Sequence, residues 1–210
     1  RVIGRRVGKH LARFVIVALR TGTRSGPICG ASFEKQIGKP WMELKTETSH
    51  EERIETRVID GETFERRVRV PVIKRVAIFH RKALGTKEAE NKKAPTVRMP
   101  DGLVAHLWRW HHVLGQKYVV EWNGKPVGST KRSFANLVHE LGLGDDVVRH
   151  SLRHTAVTWG MQAGVDIWEL AGYVGMTVEM IERRYGHHSS EHMEGAREAL
   201  GGRGRKRRAA

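Results

Sequence analysis

The chain has 210 residues, 39% of them hydrophobic, which is enough to bury a substantial core in one large domain or two small ones. Its 38 lysines and arginines against 23 acidic residues give a net charge of +15, a balance that favours polyanionic partners, nucleic acid first among them. A lone cysteine, Cys29, excludes a disulfide framework or a thiolate metal cage, and the apolar run Phe14 to Leu19 is too short to cross a bilayer.

In chain order, apolar residues at Leu11, Phe14, Val15, Ala18 and Leu19 predict a helix over 8–20. The glycines and proline of "RTGTRSGP" (20–27) end it, and a short helix or turn follows through Phe33. From about 41 to 100 the pattern becomes strand-like. "RIETRVID" (53–60) and "TFERRVRVPVI" (63–73) alternate apolar with charged residues around Asp60-Gly61, a hairpin turn pair. "VAIFHRKAL" (76–84) and "APTVRMP" (94–100) read as further strands flanking the polar loop 85–93. A helix is expected over 101–115, capped by Asp101, then a small hairpin turning on Asn123-Gly124. Further helices are expected near 130–142, 150–163, 166–173, 177–187 and 190–200. The fold class is therefore α+β, mostly helical with a small antiparallel sheet. The tail 201–210 contains "RGRKRR", which holds five of the basic charges and leaves the remainder of the chain at +10. It reads as disordered.

"RHSLRHT" (149–155) crowds His150, Arg153 and His154 at a helix start. A metal is one explanation, since the two histidines are four apart on one helical face. But no glutamate base accompanies them, and the intervening Arg153 repels a cation. The cluster His187, His188 and His192 lacks a carboxylate cage as well, so no metal is expected. A phosphate suits the residue types better: Arg153 offers a planar fork of donors, His150 another donor, and the helix start adds oriented amides. "TGTRSG" can aim Arg24 inward from a glycine-bounded turn, and "LAGYVGMTVEMIERRYGHH" (170–188) reads as helix, tight turn at Gly175, and a second helix ending near Tyr185.

Taken together, "TGTR", "HSLRHT", "AGYVGM" and a tyrosine nine residues past Met176 resemble the catalytic domain of the tyrosine recombinase family of phage integrases, over most of the chain. The resemblance implies DNA strand cleavage and rejoining through a 3′-phosphotyrosyl intermediate, without metal or other cofactor. It assigns Tyr185 as nucleophile, Arg24 and Arg153 as the phosphate clamp, His150 as the group that takes or orients the tyrosine proton, and His154 as a supporting residue. A lysine of the polar loop would protonate the leaving 5′ oxygen: Lys92 first, then Lys93 and Lys87. The same three lysines and Arg149 are candidate DNA contacts. Met176 stands where the family carries His or Trp, and Pro27 where many members carry an acidic residue. Both departures leave a rival reading open, a DNA-binding module of the same fold with impaired or lost cleavage.

The family's N-terminal core-binding domain has no counterpart before "TGTR", so residues 1–200 are expected to be the catalytic domain alone. The 126-residue span from Arg24 to His150 is long for a compact member, with the surplus near 48–75. The resemblance further implies a phage or other mobile element, double-stranded DNA as partner, a tetramer on DNA and a monomer when free. A cytoplasmic, nucleoid-associated location follows, with no membrane attachment.

Overall fold

A computed structural model describes residues 8–59, 62–83, 85 and 93–188. Helix α1 (Lys9–Thr21) buries Leu11, Phe14, Val17 and Ala18, the stripe its periodicity predicts. Each large apolar side chain so buried contributes about 1.5–3 kcal/mol. Gly22 ends the helix in the left-handed conformation (φ 59°), donating its N–H to Ala18 O at 2.8 Å. A short helix α2 (Ser25–Gly30) follows.

Strands β1 (Trp41–Ile59) and β2 (Glu62–His80) pair antiparallel without a break, from Trp41 opposite His80 to Ile59 opposite Glu62. The two strands predicted at 63–73 and 76–84 thus form one, and β1 starts twelve residues before the predicted 53. The predicted turn pair Asp60-Gly61 lies outside the described residues. At about 3.3 Å per residue, the ribbon is about 60 Å long. Among the described residues, only its base joins the body. Met42, Val76, Ala77 and Phe79 are buried, β3 (Thr96–Arg98) pairs with Ile78–His80, and ion pairs Lys74–Asp101 (2.9 Å) and Arg98–Glu47 (3.1 Å) mark the limit of contact. Residues 51–57 and 63–67 are exposed on both faces.

Helix α3 (Asp101–Trp108) runs into a π-helical turn (Arg109–Val113). The small hairpin β4 (Glu121–Trp122) and β5 (Lys125–Pro126) turns on Asn123 (φ 48°) and Gly124 (φ 75°), as its Asn-Gly pair predicts. Then come α4 (Lys131–Glu140), α5 (Ser151–Gln162), α6 (Ile167–Val174) and α7 (Val178–Tyr185). Asp166 caps α6 by accepting from Trp168 and Glu169 N–H, and Thr177 caps α7 by accepting from Met180 N–H. The predicted helix 190–200 and the basic tail lie outside the described residues.

Two apolar clusters result. The larger joins α1, the ribbon base, α3 and α4 through Phe14, Phe79, Leu103, Leu107 and Phe134. The smaller joins α5, α6 and α7 through Val157, Leu170, Val174, Ile181 and Tyr185. Tyr173 packs against both. Among the described residues, no helix is long and apolar enough to cross a membrane.

Candidate active site

The candidate residues gather on the seam between the two clusters. Arg153, in the first turn of α5, is 4% exposed although cationic. Its Nη1 donates to the carbonyls of Gly22 and Val174 (2.8 Å to the latter), and its Nη2 to Gly175 O at 3.2 Å. The guanidinium therefore ties the end of α1 to the end of α6, and its planar fork is what lets one side chain reach three carbonyls.

Arg81, at the end of β2, duplicates this tie and escapes detection in the sequence. It too is 4% exposed, donating to Tyr173 O at 2.6 Å and Thr21 O at 3.1 Å, one residue from the partners of Arg153 on both segments. Burial lowers both guanidinium pKa values to about 10, and mutual repulsion with Arg24 adds to the shift. Among the described residues, no carboxylate pairs with Arg24, Arg81 or Arg153. Three cations thus share a seam without a counter-charge, an arrangement a phosphate would relieve.

Arg24 stands at the N-cap of α2 and donates from Nη1 to Lys93 O at 3.1 Å. That contact draws the segment Lys93–Pro95 across the turn between α6 and α7. Gly175 permits the approach: at φ 70°, a Cβ there would meet Lys93 O and Pro95 Cδ, both at 2.8 Å. Gly175→Ala is expected to lose about 1–3 kcal/mol from left-handed strain and the displaced segment, measurable as a lowered urea midpoint with an unchanged m-value. Lys93 is exposed beside this turn, whereas Lys92 and Lys87 lie outside the described residues.

A cleft of about 450 Å³ opens beside the seam, lined among others by Arg24, Lys131, Arg149, His150, Arg153 and Asp145. Its charge balance is strongly positive. Arg149 donates to Ser129 Oγ at 3.4 Å across its rim. If Lys131 and Arg149 each contact one phosphate, the double variant Lys131→Gln/Arg149→Gln loses about 1.8 from the slope of log K against log salt for duplex binding. Fluorescence anisotropy across a salt series measures it, and an unchanged slope rules both contacts out.

Tyr185 ends α7 with its ring in the smaller cluster, only 4% exposed. Its hydroxyl is hydrogen-bonded to Nδ1 of His154, one turn into α5, and not to His150. His150 stands at the N-cap position of α5, exposed and without a side-chain capping bond, and lines the cleft; its ring lies edge-on to that of His154, centroids 4.7 Å apart. Burial lowers the pKa of both imidazoles, with added repulsion from Arg153 and Arg184 on each, which favours their neutral forms. Burial raises the phenol pKa of Tyr185, while Arg184 and Arg153 pull against that rise. Met176 packs half-buried against the cluster that holds Tyr185 and lines a second hollow with Lys93 and Thr177. It does not line the cleft of His150. Of the second histidine cluster, His187 and His188 lie in a 3-10 turn with their rings tilted at 44°, and His192 lies outside the described residues.

This fold is tyrosine recombinase-like. The Tn1549 transposon integrase, solved in complex with transposon right end DNA, superposes over 96% of this chain with a TM-score of 0.57 at 17% identity. XerH site-specific recombinase, bound to palindromic difH substrate, superposes over 96% of the chain with a TM-score of 0.52 at 11% identity. The chain spans 62% of that integrase and 50% of XerH. No family model and no curated protein matches the chain in sequence.

Proposed function

We propose that this chain is the catalytic domain of a DNA strand-transfer enzyme that cuts and rejoins duplex DNA at specific sites through Tyr185, serving integration or excision of a mobile element. One observation carries the reading. A buried phenol is hydrogen-bonded to an imidazole beside Arg153, one of three clustered guanidiniums that no carboxylate pairs with among the described residues.

In the proposed step, the Tyr185 oxygen attacks a backbone phosphorus, its proton leaves to a base, and the bond to the 5′ oxygen breaks. A 3′-phosphotyrosyl link keeps the energy of the broken bond, so a second 5′ hydroxyl can reverse the step. Charge building on the non-bridging oxygens falls between Arg24 and Arg153, which do without a metal what a divalent cation does elsewhere. Arg153 is fixed before substrate arrives, because its carbonyl ties settle the orientation of the guanidinium. The leaving oxygen takes its proton from a lysine of the 87–93 segment; Lys93 is the described candidate, with Lys92 and Lys87 beside it in sequence. Duplex DNA is the partner, bound along the positive cleft and assembled with further copies of the chain on the DNA, in the cytoplasm at the nucleoid. Residues 1–200 would form this domain and 201–210 a basic extension of it.

A second reading, a DNA-binding module that no longer cuts, is favoured by Met176, whose thioether cannot donate a hydrogen bond to phosphate. One experiment separates the two. The protein is mixed with a randomised pool of labelled nicked duplexes, and SDS-resistant protein–DNA adducts are mapped by mass spectrometry. An adduct on Tyr185 supports strand transfer. DNA binding without any adduct supports the second reading.

A further inference from the structure

We infer that His154, rather than His150, accepts the phenol proton of Tyr185 as the tyrosine attacks. This deepens the strand-transfer reading and rests on it. The attacking oxygen has one described hydrogen-bond partner, Nδ1 of His154, reached from α7 across the seam. His150 has no bond to Tyr185; its place is the cleft, with Arg24 and Arg153. The three rings form a row. His150 and His154 meet edge-on at 4.7 Å, and His154 and Tyr185 lie 5.8 Å apart at 37°. A base must be within hydrogen-bond reach of the proton it takes, and in this row only the middle ring is.

The surroundings fit the role. In the tautomer with its hydrogen on Nε2, the imidazole presents the Nδ1 lone pair to the phenol. The charged and titratable groups around His154 are Arg153 and His150 on its own helix and Arg184 and Tyr185 on α7, with Arg24 beyond His150. Burial first, then repulsion from Arg184 and Arg153, lowers the His154 pKa and favours the neutral imidazole that a base requires. The same two cations make the imidazolium short-lived once it forms. In the forward step the Oη–P bond forms, the Oη–H proton passes to His154 Nδ1, and the P–O5′ bond breaks, with the 5′ oxygen protonated by a lysine ammonium or water. In the reverse step the released phenolate recovers its proton from His154. His150 is then free to donate to a non-bridging phosphate oxygen from the cleft.

The test is the rate of Tyr185 adduct formation on the nicked-duplex pool between pH 5 and pH 9, for the parent and for His154→Asn, His154→Ala and His150→Asn. Asparagine keeps an acceptor near the position of Nδ1 but cannot carry a proton at these pH values, so it separates holding the phenol from taking its proton. The parent rate is expected to rise with pH and level off above the His154 pKa, which burial lowers from the ordinary imidazole value. His154→Asn and His154→Ala are both expected to be slower at pH 7 by about 10²-fold or more, with no plateau and a rate that climbs about tenfold per pH unit. His150→Asn is expected to be slower but to keep the parent's profile shape.

A His154→Asn rate within tenfold of the parent, profile intact, overturns the inference and leaves His154 as a positioning residue. Loss of the plateau in His150→Asn alone also overturns it, and gives the proton to His150. A parent that forms no Tyr185 adduct overturns the strand-transfer reading itself, and the inference with it.

Discussion

Tyr185→Phe is expected to form no SDS-resistant adduct with DNA while binding duplexes as the parent does. The substitution removes a single atom, the oxygen that would attack phosphorus. The ring is buried among Val157, Met161 and Ile181, and phenylalanine fills the same space. What the fold loses is one hydrogen bond and the pairing of His154 Nδ1, together about 1–2 kcal/mol, too little to unfold a domain with this core. Loss of the adduct should be complete rather than partial, because neither other tyrosine can substitute. Tyr173 is engaged with Arg98 O at 3.4 Å, and Tyr118 sits over Lys39 near the start of the ribbon. Parallel measurements of adduct yield, DNA affinity and urea unfolding check the three parts. An undiminished adduct in the variant would place the nucleophile elsewhere and end the proposed mechanism.

Arg153→Ala is expected to fail in two measurements at once. Its guanidinium holds three carbonyls on two segments, and removal leaves those of Gly22 and Val174 without that donor. Bonds from a charged donor are worth about 1.5–3 kcal/mol each, but burying the charge has opposed them, as the fall in pKa to about 10 records. We expect a net loss of about 2 kcal/mol, with Arg81 still tying the same segments one residue away. Adduct formation should fall further, by about 10²–10³, the usual cost of removing one preorganised donor from a developing oxyanion. Arg153→Lys should recover part of the stability and little of the rate, because an ammonium cannot span three carbonyls and a phosphate. Denaturation midpoints and adduct rates decide it. A variant as stable as the parent and within tenfold of its rate would show that Arg153 neither ties the seam nor holds phosphate.

Much of this site is legible in the sequence because its signals are local. "HSLRHT" starts a helix, "AGYVGM" ends one and turns, and Tyr185 closes the next; each depends on spacings of a few residues. What the sequence hides is tertiary. Arg81 looks like one more charge at a strand end, and its role comes from Thr21 and Tyr173, 60 and 92 residues away. His150 and His154 share a helical face, so spacing alone gives no way to choose which meets a tyrosine 31 residues on. Lys74-Arg75 reads as a break between two strands because a polar pair interrupts an apolar run. With neither face buried beyond the base, burial imposes no alternation there, and strand pairing continues through the charges. The π-helical turn at 109–113 carries no pattern distinct from the helix before it.

The ribbon's length sets a gradient of local stability. Beyond Glu47 and Lys74, among the described residues, each rung is supported only by its two neighbours and its own cross-strand pair, so the strands can unzip from the far end without disturbing the core. Backbone amides of Phe79 and Ala77 should exchange with deuterium only on global unfolding, while protection declines rung by rung toward Ile54 and Arg67. The far rungs thus behave as a fraying spring on a rigid mount, able to take shape against whatever surface meets them at little cost to the domain that carries them.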